Sequence, residues 1–382
     1  MTFLQQVVAD HAVVICAGSG GVGKTTTAAA LALHGAQQGR RTIVLTIDPA
    51  RRLADALGLS ELGNEARTVD VAARGSLSAM MLDQKGAWDA LVERYAPTPE
   101  VRQRILGNRF YQHLSQSFAG SQEYMAVEQL YALHHGGQYD LIIVDTPPTR
   151  QALDFLDAPQ RVGDFLDRKI IRWFVKPYFS AGWATLRVMN RTVGALFRRL
   201  EDATGLSALA EISDFFTSMS GLFDGFGERV QRVNRLLRSK RTAFVLVASP
   251  EEQVLTEAEE FCRKVSDLSV SLRAVVFNRV HEESALDARA LADDWLRALA
   301  AKALKNGDSA ARYSQNFLRY ETLARGDNLR IEAFLGQLRG RARLATVMVP
   351  NFDEDLHDLD GLRRMIPFLV GHVDERSGAR RD

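Results

Sequence analysis

The sequence predicts a doubly wound, mostly parallel α/β sheet with an inserted helical subdomain. Three observations carry that expectation. A short apolar run, Val13 to Ala17, breaks into a glycine-rich turn and then an alanine-rich segment of helical character, together VVICAGSGGVGKTTTAAALAL over residues 13–33. Two further apolar runs, Thr42 to Ile47 and Leu141 to Val144, each end on an aspartate, Asp48 and Asp145. Branched runs of this length, bounded by turn residues, are strands buried on both faces, as in a parallel sheet whose crossovers are helices.

The glycine-rich turn carries specific chemistry. Gly18, Gly20, Gly21 and Gly23 fall within six residues, so backbone N–H groups can turn inward around an anion with no Cβ in the way. The following helix presents its positive end to the same point. Lys24 can place an ammonium near β and γ phosphate oxygens, and the Thr25 hydroxyl is a hard ligand suited to Mg²⁺. The match to GxxxxGK[ST] is complete from Gly18 to Thr25, the signature of a P-loop nucleotide hydrolase. Gly20, Gly21, Val22, Gly23, Lys24, Thr25 and Thr26 are therefore the expected contacts to ATP, against the plain alternative of a tight strand-to-helix turn. Asp48, at the carboxyl end of a core strand beside this loop, can orient an attacking water or hold a Mg²⁺-bound one. Its plain alternative is a strand-end cap. Asp145 is placed to hold Mg²⁺ through water, and Thr146, Pro147, Pro148, Thr149 and Arg150 form a stiff bend after it.

The remaining elements follow in order. Residues 1–11 read as a short lead-in, Thr68 to Ala72 as a short strand, and residues 76–138 as mostly helical with a break at Pro97 and Pro99. A helix starts over Gly120 to Ala126. Residues 160–240 contain no persuasive strand. Within them, IIRWFVKPYFSAGWATLRVM over 170–189 is rich in large apolar groups, and Ile212, Phe215, Phe216, Met219, Leu222, Phe223 and Phe226 recur at helical spacing, followed by Val230, Val233 and Leu237. These residues are either ordinary helical core or an apolar surface for a client helix or a membrane. Thr242 to Ala248 resumes the sheet, and Pro250 opens a helix at its first position that runs to Val265. Leu272 to Phe277 and Leu344 to Val349 are further strands, with helix over 282–300 and again over 302–319 after a break at Gly307. Residues 367–382 read as a frayed tail. The expected organisation is a nucleotide-binding core in two parts, 1–158 and 241–370, a helical insertion at 159–240 and a flexible tail at 371–382.

Totals exclude several classes. The 382 residues carry 48 Lys and Arg against 47 Asp and Glu, so no net field points to nucleic acid. Cys16 and Cys262 are the only cysteines and form no CxxC pair, which argues against structural zinc and against a disulfide scaffold. The N-terminal residues lack the pattern of a signal peptide, and no stretch reaches 18 uncharged apolar residues, so a cytoplasmic chain is expected, with a peripheral membrane association open through the insertion.

On these motifs the sequence resembles the MinD-related class of P-loop ATPases, and most of all the arsenite-pump and tail-anchored-protein-targeting ATPase family. That family's loop reads GKGGVGKT, with an early lysine that reaches across a dimer to the partner's nucleotide; this chain has Ser19 there. DPARRLAD, from Asp48 to Asp55, matches the family's DPAxxLxD switch, which implies that Asp48 orients the hydrolytic water. DTPPTRQ, from Asp145, resembles its DTAPTGH switch, with Pro147, Arg150 and Gln151 at the differing places. The resemblance further implies an adenine contact from Asn278, whose carboxamide offers both a donor and an acceptor, and an adenine pocket completed by Pro350 or Asn351. A neutral turn asparagine is the alternative at 278. Family members with an interfacial zinc pair or an arsenite-binding thiol cluster use cysteines absent here. The implied function is Mg²⁺-dependent ATP hydrolysis by a homodimer or a heterodimer with a related ATPase, driving a switch that controls a protein or membrane-associated client. The alternative is an ATP-binding module with little hydrolysis of its own.

Overall fold

Eight strands form one sheet in the order β3-β4-β2-β5-β1-β6-β7-β8, where β1 is Val13–Gly18, β2 Arg41–Thr46, β3 Arg67–Val69, β4 Ser76–Met81, β5 Leu141–Asp145, β6 Thr242–Ala248, β7 Leu272–Val280 and β8 Ala345–Pro350. The computed structural model describes residues 3–48, 50–117, 121–148, 226–268, 270–284, 307–338 and 344–371, with residues 211, 215, 218, 298 and 302. Every pairing is parallel except β3 with β4. β1, β5 and β6 are buried along their whole length, which is why their sequences are unbroken apolar runs rather than alternating ones.

The chain leaves β1 towards β2 and leaves β6 towards β7, in opposite directions along the sheet. Right-handed crossovers then place the intervening helices on opposite faces. Helix Lys24–Gln37 accordingly shares a layer with Phe3–Asp10 and Leu359–Val370, while Glu252–Asp267 packs with Gly307–Leu338. Helix Lys24–Gln37 is buried almost all round, so its alanines are a packing requirement. A Cβ on Gly35 would lie 2.6 Å from Leu141 Cδ2, so only a glycine lets this helix sit so close to β5.

Several expectations are corrected. Residues 76–81 are strand β4 rather than helix, paired in register with β2 from Arg41↔Ser76 to Thr46↔Met81. Ser, Ala and Met carry little strand preference, and burial of Leu77, Ala79 and Met80 between β2 and the flanking layers decides the conformation. The helical reading holds from Gln84 onward, with the break at the prolines: Thr98 caps a helix that has Pro99 at its start. The lead-in is a helix, Phe3–Asp10, that buries Leu4, Val7 and Val8. Pro250 precedes the helix at Glu252 and its N-cap Glu251 instead of opening it. Helix Leu359–Val370 continues through Pro367 because Leu369 is buried beyond it. Residues 170–189, Ile212, Phe216, Met219, Leu222 and Phe223 lie outside the described residues. Phe215, Val233 and Leu237 are core residues, Phe215 packing edge-on to Phe110 at 5.2 Å. No described helix is long and apolar enough to cross a membrane.

β1 ends in contact with β6 in a way that only glycine allows, since a Cβ on Gly18 would fall 2.1 Å from the Val247 carbonyl oxygen. Gly18→Ala is expected to destabilise the protein by about 1–3 kcal/mol through overpacking, measured by urea unfolding; an unchanged midpoint would show that the two strands can separate at no cost.

Candidate functional site

The carboxyl ends of the parallel strands lie along one edge of the sheet, and β1 delivers the glycine loop to its centre. Gly21 and Gly23 have φ of 79° and 90°, the left-handed region, which the loop needs in order to aim successive N–H groups inward. A Cβ on Gly21 would meet nothing within 4 Å, so the loop faces open space at this exposed residue. Lys24 is 8% exposed, and its Nζ donates to the Ser19 carbonyl at 2.7 Å, folding the ammonium back over the loop. Burial lowers its pKa, against the opposing pull of the Asp145 and Asp48 carboxylates.

Register places Asp145 between Cys16 of β1 and Thr46 of β2. Its Oδ2 accepts from the Thr25 hydroxyl at 2.8 Å and from the Thr46 hydroxyl at 2.9 Å. Asp145 is fully buried and its Oδ1 has no hydrogen-bond partner among the described residues. A buried, half-satisfied carboxylate next to a threonine hydroxyl and a phosphate loop fits a divalent cation that keeps several waters and takes one or two protein oxygens. Burial pushes the Asp145 pKa up to about 6, opposed by the two threonine hydrogen bonds and by Lys24.

Asp48 lies just beyond β2. Its N–H donates to Thr46 Oγ1 at 3.2 Å, its Oδ1 accepts from the Ala50 N–H at 3.0 Å, and its Oδ2 stands 4.0 Å from Arg52. Its side chain is 32% exposed, open to water beside the loop, unlike that of Asp145. Behind it, Gln122 Nε2 donates to the Ile47 carbonyl at 2.7 Å, and the Ile47 N–H donates to the Asp145 carbonyl at 3.1 Å. Thr146 closes the turn after β5 with its N–H and hydroxyl both on the Cys16 carbonyl.

The chain belongs to the anion-transporting ATPase family. The model of that family matches residues 11–306, which take in the glycine loop, Asp48, Asp145 and Asn278. ATPase GET3 of Malassezia globosa is 28% identical over 268 residues, covering 70% of this chain and 72% of that protein. ATPase get3 of Aspergillus terreus is 28% identical over 266 residues, 69% and 71% of the two chains. Lys24, Thr25 and Asp145 stand together at the glycine loop, and the Asp48 carboxylate is close enough to act on the Lys24 charge. Asn278 joins them from β7: its Nδ2 donates to the Val22 carbonyl at 2.9 Å, and a Cβ on Gly23 would lie 2.3 Å from that nitrogen. Pro350 and Asn351 stand farther off, at the end of β8, where the Asn351 N–H donates to the Val280 carbonyl at 2.9 Å.

Three neighbours of the site escape sequence reasoning. Thr46 was recoverable from parallel register, two residues before Asp48. Gln122 and Glu257 leave no local signal, the latter 238 residues from the Ser19 hydroxyl that donates to it at 2.7 Å.

A buried Asp with its folded pKa near 6 keeps a proton that the unfolded chain releases near pH 4, so stability present in full at low pH is lost as pH rises to about 6. Without metal or nucleotide, Asp145→Asn should therefore be more stable than the parent at pH 7 by roughly 2–3 kcal/mol. The difference should vanish below about pH 4. Urea denaturation at both pH values tests this, and a pH-independent difference would refute it.

Proposed function

We propose that this chain is a Mg²⁺-dependent ATPase whose hydrolysis cycle switches the exposure of a client or partner surface. The supporting observation is the convergence of Lys24, Thr25 and Asp145 on one open glycine loop, with water-exposed Asp48 at its rim. Family membership supports ATP hydrolysis; the residue roles are the finer proposal. Mg²⁺, when bound, supplies electrostatic stabilisation of the transferring phosphoryl group. The glycine-loop amides and Gly20 to Thr26 bind the triphosphate, and the Lys24 ammonium, held in place by the Ser19 carbonyl, faces charge developing on the γ oxygens. Thr25 and Asp145 hold the metal, and Asp48 orients water. Asn278 would turn its carbonyl oxygen to the adenine amino group, since its amide nitrogen braces Val22; Pro350 and Asn351 complete the base pocket from the outer strands.

In this proposal, transmission to a client runs through Gln122 and the helices after β4. Gln122 links the backbone beside Asp48 to helix Ser121–Gly136, whose Tyr124 packs near Trp88 at 6.5 Å. Asn108 donates to the Glu211 carbonyl and Phe215 packs on Phe110, so the helices after β4 meet the segment assigned to the insertion. Movement of the Asp48 loop would pull on this set, and the apolar insertion at 159–240 would present its surface to an apolar helix or membrane protein. Partition into a two-part core, an insertion and a tail belongs to the same proposal.

Ser19 favours a second reading. It stands where the resembled family carries the lysine that acts across a dimer, and it is tied to Glu257 of the same chain. A heteromer in which a related ATPase supplies the missing cation, with weak hydrolysis by this chain alone, accounts for that replacement.

Lys24→Ala is expected to lower phosphate release about 100-fold or more, and Asp48→Asn to retain ATP binding while losing turnover. Unchanged turnover of Lys24→Ala in a clean preparation would end the assignment. Capture from cell lysate on ATP-locked Asp48→Asn separates the two readings: apolar-helix proteins recovered only in the ATP form support the client switch, and one stoichiometric ATPase supports the heteromer.

A further inference from the structure

Ser19 is 6% exposed although it sits in the mouth of the loop, and its hydroxyl points inward to Glu257 Oε2 at 2.7 Å. Glu257 lies in helix Glu252–Asp267, the first helix after β6. The approach is made possible by Gly18, which lets β1 close on Val247 of β6 and brings the next residue under that helix. The same Ser19 uses its carbonyl to accept from Lys24 Nζ, also at 2.7 Å. A carboxylate on a packed helix is thus connected through one residue to the loop's ammonium: Glu257 holds Ser19, and Ser19 holds Lys24.

We propose that Glu257 is a positioning residue of the phosphate loop, bracing Ser19 from within the same chain so that Lys24 is set for the triphosphate before nucleotide arrives. The inference rests on the ATP site proposed above and goes beyond it in assigning a residue outside every loop motif. Three facts make the brace effective. The contact is short, the Ser19 hydroxyl donating to Glu257 Oε2 at 2.7 Å. Glu257 is fixed by a helix whose Val254, Leu255, Ala258 and Phe261 are buried, so it does not follow the loop. The opposite flank of the loop is held by a second brace, Asn278 on the Val22 carbonyl, leaving the stretch between residues 19 and 22 pinned at both ends. Both braces come from the same chain as the loop.

The test measures affinity for a non-hydrolysable Mg²⁺–ATP analogue, with Lys24→Ala as the loop-defective control. Ser19→Ala and Glu257→Ala delete atoms and add none, and each should weaken binding about tenfold. Combining them should weaken it no further than either alone, because both break the same contact. Glu257→Gln keeps an acceptor oxygen and removes a negative charge near the triphosphate, so its affinity should equal or exceed the parent's. A residue needed only for folding would lower the melting temperature of all three variants without this rescue. Unchanged affinity in the alanine variants, additive losses in the double variant, or a Glu257→Gln loss equal to that of Glu257→Ala would each overturn the brace while leaving the ATP site intact. A parent that binds the analogue no better than Lys24→Ala would overturn both.

Discussion

A single carboxylate sets the terms for the rest of the site. Asp145 sits at the end of β5 with no solvent exposure, one oxygen held by hydroxyls from two different elements and the other without a partner among the described residues. Burying an ionised group in this manner is costly unless something positive compensates it. Lys24, whose charge opposes that cost, has its own pKa lowered by burial and its ammonium turned towards Ser19. The register of β5 with β1 and β2 thus holds a costly buried carboxylate in one fixed place at the centre of the sheet, which the proposed divalent ion would compensate.

Much of this architecture was visible in the sequence because parallel sheets buried on both faces leave continuous apolar runs, and β1, β2, β5 and β6 are of that kind. The strand ends then located Asp48 and Asp145 without knowledge of the packing. β4 escaped because Ser, Ala and Met at positions 76–81 carry no strand signature; its conformation comes from the register with β2. The first helix escaped because its apolar residues span only two turns. Contacts such as Gln122 with Ile47 or Ser19 with Glu257 join residues dozens to hundreds of positions apart, and no local pattern encodes them. The departure at Ser19 was legible as a difference from the family loop; what the serine does instead became legible only with its partner in view.

The two aspartates divide the labour between rigidity and access. Asp145 is enclosed, in register and hydrogen-bonded to neighbouring strands and helix, so it can act only where it stands. Asp48 lies one step outside the sheet, in a turn held by side-chain hydrogen bonds and open to water. In the proposed cycle Asp145 would give a fixed metal position and Asp48 a water position that responds, so that the signal originates in a segment able to move relative to something that does not.

Helix Lys24–Gln37 shows where that movement stops. It is surrounded by the sheet on one side and by the first and last helices on the other, with alanines and Gly35 fitted against β5. A segment enclosed in this way is expected to exchange its interior amide hydrogens mainly through global opening, and so to be among the last structure to come apart on unfolding. The lysine of the loop begins this enclosed helix, so its position would last as long as the packing around the helix does.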